Sequence, residues 1–305
     1  MTNEEIDLEI EKYMNSGQYK VVDLSIFEVL EHLTFEEGIL EQCKDTLEKY
    51  KEYVQKLMEL SEEERTIFLQ AIKSAEIVDN QKLEKENSFL IGLYMQTQKL
   101  NAIDYLLSVD SPLTKENVKI SNQLILQGTS HEKYASGEYR QNNRKFVGKW
   151  NIDGSRDIKY FPLPYPEIDH AMEKLLAYYN QETANEIDIL LKPLIVHGLI
   201  AALQMFEDGN TRLGRVVQSV ELWHLSNQFL ETKLPQPALY MSRSYYPFRE
   251  QYREKITNIV VENNQEGWNN WLHFNLNRIE DQIQFNEYNL EQYRTRLNYE
   301  HAKKR

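Results

Sequence analysis

Cysteine is almost absent from this chain of 305 residues, which contains only Cys43. With one thiol the chain can form neither an intrachain disulfide nor a zinc site built from several thiolates. We therefore expect a cytoplasmic protein in which Cys43 is a buried, inert thiol. A chain of this length can bury a core without disulfides or metals, so one main functional unit with an appendage is the default.

Glycine and proline are also scarce, at 11 and 8 residues. No apolar run reaches the length of a membrane-spanning helix, and residues 1–13 are acidic and amphipathic, unlike a secretory signal. We expect no membrane-embedded part. With so few helix breakers, the apolar residues at three- and four-residue spacing in segments such as 39–60 and 268–299 predict an all-α, mainly helical protein.

Basic residues are in the minority, because 35 Lys and Arg stand against 48 Asp and Glu, for a net charge of -13. Non-specific binding to nucleic acid or to anionic lipid requires clustered Lys and Arg. The charge balance therefore disfavours both as partners. A nucleotide pocket remains compatible with it, since such a pocket needs only a few local basic groups.

Two short β-prone runs interrupt the helical pattern between residues 145 and 161, with Asp153-Gly154 between them. Because Asp-Gly is a strong signal for a tight hairpin turn, we predict an exposed two-stranded flap. Residues 1–83 are richer in charge and are predicted to form an N-terminal helical subdomain. A core domain is expected at 84–285 and a C-terminal helix at 286–305.

The centre of the chain contains an almost wholly apolar segment, PLIVHGLIAALQMF, at 193–206. It predicts a helix buried on nearly all sides, with Pro193 in its first turn. A second amphipathic helix is predicted over 216–230. The residues between the helices, EDGN at 207–210, must form a tight turn in which glycine permits positive backbone angles.

The second helix is expected to begin after this turn, near Thr211. Free amide groups and the helix dipole at its N-terminus favour the binding of an anion. Arg212 and Arg215, three residues apart, could both reach one polyphosphate, and Asp208 could hold a magnesium ion that bridges phosphate oxygens. The alternative is a D-G-N turn that simply joins two helices, with both arginines as surface caps. Spacing alone favours this alternative, because loop-plus-arginine patterns are common.

The segment 204–215, QMFEDGNTRLGR, resembles the Fic motif H-P-F-x-D/E-G-N-G-R-x-x-R. The informative matches are Phe206, Asp208, Gly209, Asn210, Arg212 and Arg215. Similarity to the family extends over about 85–285, with GEYR at 137–140, FVG at 146–148 and His197 one heptad before Gln204. This resemblance to the Fic family of the Fido superfamily outweighs the simpler interpretation, and it implies a Fic-type helical core.

The resemblance implies a protein adenylyltransferase that uses ATP and Mg²⁺ and transfers AMP to a Ser, Thr or Tyr hydroxyl of a target protein. By resemblance Asp208 would bind magnesium. The nucleotide would be held by Phe206, Gly209, Asn210, Thr211, Arg212 and Arg215. The target would add a strand to the flap, along an edge supplied by Val147, Gly148, Lys149, Trp150, Asn151 and Ile152.

Two positions depart from the family motif. The family's histidine accepts the hydroxyl proton, but Gln204 stands in its place and an amide does not titrate near neutral pH. Thr211 replaces the second glycine of the motif, and its β-branched side chain could crowd the phosphates. The resemblance thus implies weak or lost transferase activity or, alternatively, a non-catalytic pseudoenzyme that senses nucleotide or binds a partner. His197 could approach the site from one side, and homodimer formation is left open.

Many family members carry an inhibitory helix with the pattern S/T-x-x-x-E-G/N, whose glutamate pairs with the second arginine of the motif. The segment 74–80, SAEIVDN, lies where that helix would precede the core. In one register Asp79 stands for the glutamate; in the other Ser74 is retained and Val78 replaces the glutamate. Asp79, or alternatively Glu76, is the expected partner of Arg215.

Overall fold

The computed structural model describes residues 2–84, 102–109, 113–129, 131–151, 155–182 and 185–303, and these are mainly helical, which confirms the predicted fold class. The helices are α1 (Asn3–Asn15), α2 (Ser25–Glu31), α3 (Glu37–Met58), α4 (Glu62–Glu84), α5 (102–109), α6 (Lys115–Leu126), α7 (Ile168–Tyr179), α8 (Glu186–Leu203), α9 (Asn210–Gln228), α10 (Ser242–Tyr245), α11 (Arg249–Glu262) and α12 (Gln265–Lys303). The strands are β1 (Lys20–Val21), β2 (Val147–Trp150) and β3 (Arg156–Phe161). Across these ranges, no helix is long and apolar enough to span a membrane.

Helix α8 forms the centre of the fold. Every residue from Pro193 to Leu203 is buried, and α8 packs against α3, α7, α9, α11 and α12. The helix begins at Glu186, because the side chain of Asn185 caps it by accepting a hydrogen bond from the Asp188 amide at 2.9 Å. The prediction that Pro193 lies in the first turn was therefore wrong. It placed the start of the helix at the start of the apolar run, whereas the cap at Asn185 starts the helix seven residues earlier, at Glu186.

Helices α8 and α9 approach each other closely at Gly214. A Cβ added to Gly214 would lie 2.3 Å from Cδ2 of His197, which is itself fully buried. We expect Gly214→Ala to lower the free energy of unfolding by about 1–3 kcal/mol through overpacking, as measured by urea denaturation. Gly38→Ala is the matched control, since a Cβ there meets its nearest atom at 4.0 Å. Equal losses from the two substitutions would contradict this packing.

The flap is part of a three-stranded sheet with the order β1-β3-β2, in which β1 runs parallel and β2 antiparallel to the central β3. The predicted hairpin is thus joined by a strand from the N-terminal region. Helix α1 contacts β3 through an ion pair of Glu9 with Arg156 at 3.1 Å, and it contacts the segment before β2 through an ion pair of Asp7 with Arg144 at 2.6 Å. Ile152, the Asp153-Gly154 turn and the Trp150 side chain lie outside the described residues.

The regions flanking the core pack onto it through helices α3, α4 and α12. Cys43 is buried in this packing, as predicted, and burial raises the pKa of its thiol to about 12. Helix α12 continues without interruption through residue 285, where a boundary was placed. The division into 1–83, 84–285 and 286–305 stays a prediction.

Candidate functional site

The loop between α8 and α9 reverses the chain within six residues. Gln204 ends α8 in the left-handed region, at φ 50° and ψ 50°, and Gly209 adopts φ 81° just before α9. Asn210 holds the loop closed, because its Oδ1 accepts the Phe206 amide at 3.0 Å and its Nδ2 donates to the Phe206 carbonyl at 2.9 Å. Phe206 is buried and anchors the loop in the core.

Gln204 has its side-chain amide tied to the loop and to its own helix. Its Nε2 donates to the Ala201 carbonyl at 2.6 Å, and its Oε1 accepts Nδ2 of Asn210 at 3.3 Å. The backbone oxygen of Gln204 accepts Nε of Arg140 at 2.9 Å. The amide is therefore fixed in position and can orient a neighbouring group, but it has no proton affinity to offer near neutral pH.

Asp208 presents a carboxylate that is held on three sides and is 30% exposed. Its Oδ1 accepts the Gly209 amide at 2.5 Å and lies 3.2 Å from Arg212 Nη2, while its Oδ2 lies 2.7 Å from Nδ1 of His131. Sequence reasoning missed His131, because a sequence does not show a contact between distant segments.

A carboxylate of this kind fits the requirements of magnesium. Mg²⁺ usually binds through one or two carboxylates and completes its shell with phosphate and water oxygens. The described ranges contain no group of three or more acidic, histidine or cysteine side chains that could hold a metal ion. Asp208 would thus hold Mg²⁺ only together with a nucleotide, and its contact with His131 would have to open.

Both motif arginines are buried, at 4% exposure for Arg212 and 2% for Arg215, so neither is a surface cap. Arg215 lies 2.6 Å from a carboxylate oxygen of Glu84 and donates to Oδ1 of Asn80 at 2.8 Å. Within the described part of the chain, Nε and Nη1 of Arg215 are buried without an acceptor. Burial is the largest single influence and disfavours the charged form, yet Glu84, Tyr252 and Glu76 together outweigh it and hold the pKa of Arg215 above its ordinary value. A phosphate would have to displace the Glu84 contact to reach this buried cation.

The acidic partner of Arg215 is therefore Glu84, and neither of the two predicted residues forms this pair. Glu76 instead accepts two hydrogen bonds from Ser242, at 3.0 Å from its amide and 2.5 Å from its hydroxyl. Asp79 pairs with Lys82 at 3.1 Å. Both residues lie one to two turns earlier on α4 than Glu84, and this difference in register explains the error. Asn80 and Glu84 are four residues apart, the spacing of the first and fifth residues of the inhibitory pattern, but asparagine stands in the place of Ser or Thr and Lys85 in the place of Gly or Asn.

His197 is a structural residue. Its Nδ1 contacts Oε1 of Gln218 at 2.9 Å and its Nε2 contacts the Tyr252 hydroxyl at 2.7 Å. Complete burial, with Arg215 nearby, lowers the pKa of the imidazole to about 3. Both ring nitrogens are engaged, so the expectation that His197 could approach the site from one side does not match its contacts.

A cavity of about 810 Å³ joins the motif loop to the flap. Gln204, Asp208 and Thr211 line one wall, and Glu84 of α4 also faces it. The flap contributes Val147, Gly148, Lys149, Lys159 and Tyr160, and α11 closes the remaining side. The volume falls in the range of small-molecule and cofactor sites. The structure thus brings Gln204, Asp208 and Thr211 of the predicted site onto one cavity with β2, whereas the other predicted nucleotide-binding residues do not line it: Phe206, Gly209, Asn210, Arg212 and Arg215.

Lys145 also lines this cavity, two residues before β2, and sequence reasoning did not single it out. Its Nζ donates to the backbone oxygens of Phe206 and Glu207, at 3.1 Å and 2.6 Å. Burial lowers the pKa of this ammonium group to about 8. Lys145 therefore connects the flap to the motif loop and carries a proton that is unusually easy to remove.

Comparisons with known proteins agree with this arrangement. Residues 112–222 match the model of the Fic/DOC family. A Fic family protein from Desulfovibrio desulfuricans G20 is similar in structure, with a TM-score of 0.56, 15% identity, and coverage of 82% of this chain and 74% of that one. A Fic domain containing signaling protein from Bacteroides thetaiotaomicron VPI-5482 has a TM-score of 0.58, 13% identity, and coverage of 82% and 97%.

A fragment of Fic-1 from C. elegans is also similar, with a TM-score of 0.53, 13% identity, and coverage of 80% of this chain and 71% of the fragment. At these identities the structural matches establish the fold. The family model adds the sequence signature across the two helices that carry the motif. Residues 112–222 therefore match the Fic/DOC family in sequence, and the described residues have the fold of Fic-domain proteins.

Proposed function

We propose that this protein binds ATP with Mg²⁺ at the 204–215 loop and transfers AMP, slowly, to a hydroxyl group of a protein segment that docks along β2. The observation that carries the proposal is the shared cavity, which places the motif loop and the flap around one space. A nucleotide in that space would have its phosphates at the start of α9 and an acceptor strand alongside.

The chain supplies binding and positioning for this reaction. The first amides of α9 and the guanidinium of Arg212 would hold the phosphates, and Asp208 would hold the cation, whose role is to neutralise phosphate charge. Among the described strands, β2 lies at the edge of the sheet, because β3 lies between it and β1. The outer backbone groups of β2 could therefore pair with a target strand and bring a hydroxyl group into the cavity.

Nucleotide binding tests the phosphate site directly. We expect calorimetry to show ATP binding in the presence of magnesium, and Arg212→Ala to weaken it by about 10- to 100-fold, the value of one or two charge-assisted hydrogen bonds. Arg296→Ala is the matched control, because Arg296 is exposed near the end of α12 and pairs only locally with Glu300. Unchanged ATP affinity in Arg212→Ala, or no heat from the wild type, would remove the proposed phosphate site.

A non-catalytic nucleotide sensor is the second candidate function. It is favoured by two contacts: the amide of Gln204 is bound to the loop, and Arg215 is held by Glu84. A sensor would bind ATP and change its affinity for a protein partner without consuming the nucleotide. Binding of ATP without AMP transfer by the wild type, by Gln204→His and by Glu84→Gln would favour this second function.

A further inference from the structure

Attack by a target hydroxyl on ATP releases a proton, and the amide of Gln204 cannot accept it. We propose that Nζ of Lys145 is the proton acceptor for this transfer, an inference that rests on the proposed function. Lys145 lines the same cavity as Gln204 and Asp208, and it lies two residues before the strand on which the target would dock. It thus shares this cavity with the place of the missing histidine and with the strand that would present the hydroxyl.

The hydrogen bonds of Lys145 prepare its nitrogen for this role. The backbone oxygens of Phe206 and Glu207 accept two of its N–H groups. A neutral amine has two N–H groups and one lone pair, so both hydrogens can remain on the loop while the lone pair stays available. The same contacts fix the nitrogen relative to the motif, and a general base must first meet this geometric requirement.

The surroundings of Lys145 favour the neutral form of its amine. Burial is the main cause of its lowered pKa of about 8; Asp208 and Glu207 oppose that shift, while Arg140 and Arg212 add to it. A base is most effective when its pKa lies near the working pH. The other two lysines of the cavity are exposed, and they pair with Glu250, for Lys149, and Asp157, for Lys159. Among the described residues around the cavity, Glu84 and Asp208 are committed to arginine partners.

The step balances without a further reactant. The hydroxyl proton moves to the lone pair of Nζ as the oxygen forms its bond to the α-phosphorus. The bond between that phosphorus and the bridging oxygen breaks, and pyrophosphate leaves with the electron pair. Lys145 ends as an ammonium ion and returns its proton to water through the open side of the cavity.

The test compares the full-length wild type with Lys145→Arg, Gln204→His and the double variant Gln204→His/Lys145→Arg. Arginine keeps donors for the two carbonyls but does not become neutral in a protein. Transfer of labelled AMP and calorimetric ATP binding are measured for each protein. Lys119→Arg serves as the control, since Lys119 pairs with Glu138 away from the cavity.

We expect wild-type transfer to rise about tenfold per pH unit below pH 8 and then to level off, because only the neutral amine accepts the proton. Lys145→Arg should lose about 10²-fold or more of the transfer rate while it still binds ATP. The double variant should transfer nearly as well as Gln204→His, since the histidine replaces the lysine. Transfer by Lys145→Arg at the wild-type rate would overturn the proposal. An equal loss of transfer from Lys145→Arg in the wild type and in Gln204→His would also overturn the proposal. This result would show that Lys145 only anchors the loop.

The outcomes separate this inference from the function on which it rests. Absence of transfer from both the wild type and Gln204→His, with ATP still bound, would remove the transferase function and the base with it. Transfer by Gln204→His alone would leave the chemistry of the fold intact and overturn only the role of Lys145.

Discussion

Gln204→His is expected to increase AMP transfer by up to about 10²-fold, the part of a general base's usual 10²- to 10⁴-fold contribution that Lys145 does not already supply. By resemblance to the Fic motif, Gln204 is proposed to stand for the family's catalytic histidine, and it lies at the end of α8 beside the cavity. An imidazole there would have an ordinary pKa near neutrality and could take the proton of a hydroxyl bound along β2. The rate is measured as labelled AMP incorporated into the protein itself or into proteins of a cell lysate.

The backbone at this position should accept the substitution. Gln204 adopts a positive φ of 50°, a conformation that is uncommon for most side chains but several-fold enriched for histidine, asparagine and aspartate. Gln204→Asn is therefore the matched control: it should fit the same conformation and add no proton acceptor. Equal gains from Asn and His would show that backbone relief, and not base catalysis, causes the increase. No gain from His, with ATP bound, would count against the transferase geometry.

The central part of this site could be predicted because its residues are contiguous in sequence. The motif from Gln204 to Arg215 spans one turn and the start of one helix, so local spacing places its members together. The start of α8 was missed because a single cap at Asn185 decides it, and apolar periodicity contains no information about caps. Strand β1 was missed because two residues give no period-two pattern.

The residues that set the state of the site come from distant segments. Glu84 contacts Arg215 across 131 residues of sequence, and Lys145 contacts Glu207 across 62. His131 reaches Asp208 from the segment between α6 and the flap. A charged residue in a helical pattern is equally consistent with a solvated face, so these three pairings needed the tertiary structure. Each of these contacts changes the state of the motif. Glu84 pairs with Arg215, Lys145 fixes the loop at Glu207, and His131 contacts the carboxylate of Asp208.

The contact between Glu84 and Arg215 leads to the second large expected effect. Glu84→Gln should raise the affinity for ATP with magnesium by about 10-fold or more. In this variant a phosphate would no longer have to displace a charged carboxylate from Arg215. Transfer should increase with it, most clearly in combination with Gln204→His. Calorimetry and labelled transfer measure the two effects. Asp79→Asn is the matched control, since Asp79 lies on the same helix and pairs with Lys82 instead.

Glu84→Gln should lower the stability of the free protein while it raises the affinity for ATP. These opposite effects distinguish release of Arg215 from a general loss of folded structure. Arg215 is buried, so loss of the Glu84 charge leaves a poorly compensated cation and should lower the melting temperature of the free protein. ATP with magnesium should then restore more stability to Glu84→Gln than to the wild type, because a phosphate replaces the lost partner. If Glu84→Gln melts earlier but gains no more from ATP than the wild type does, then Glu84 only supports the fold, and Arg215 is not the group that receives the phosphate.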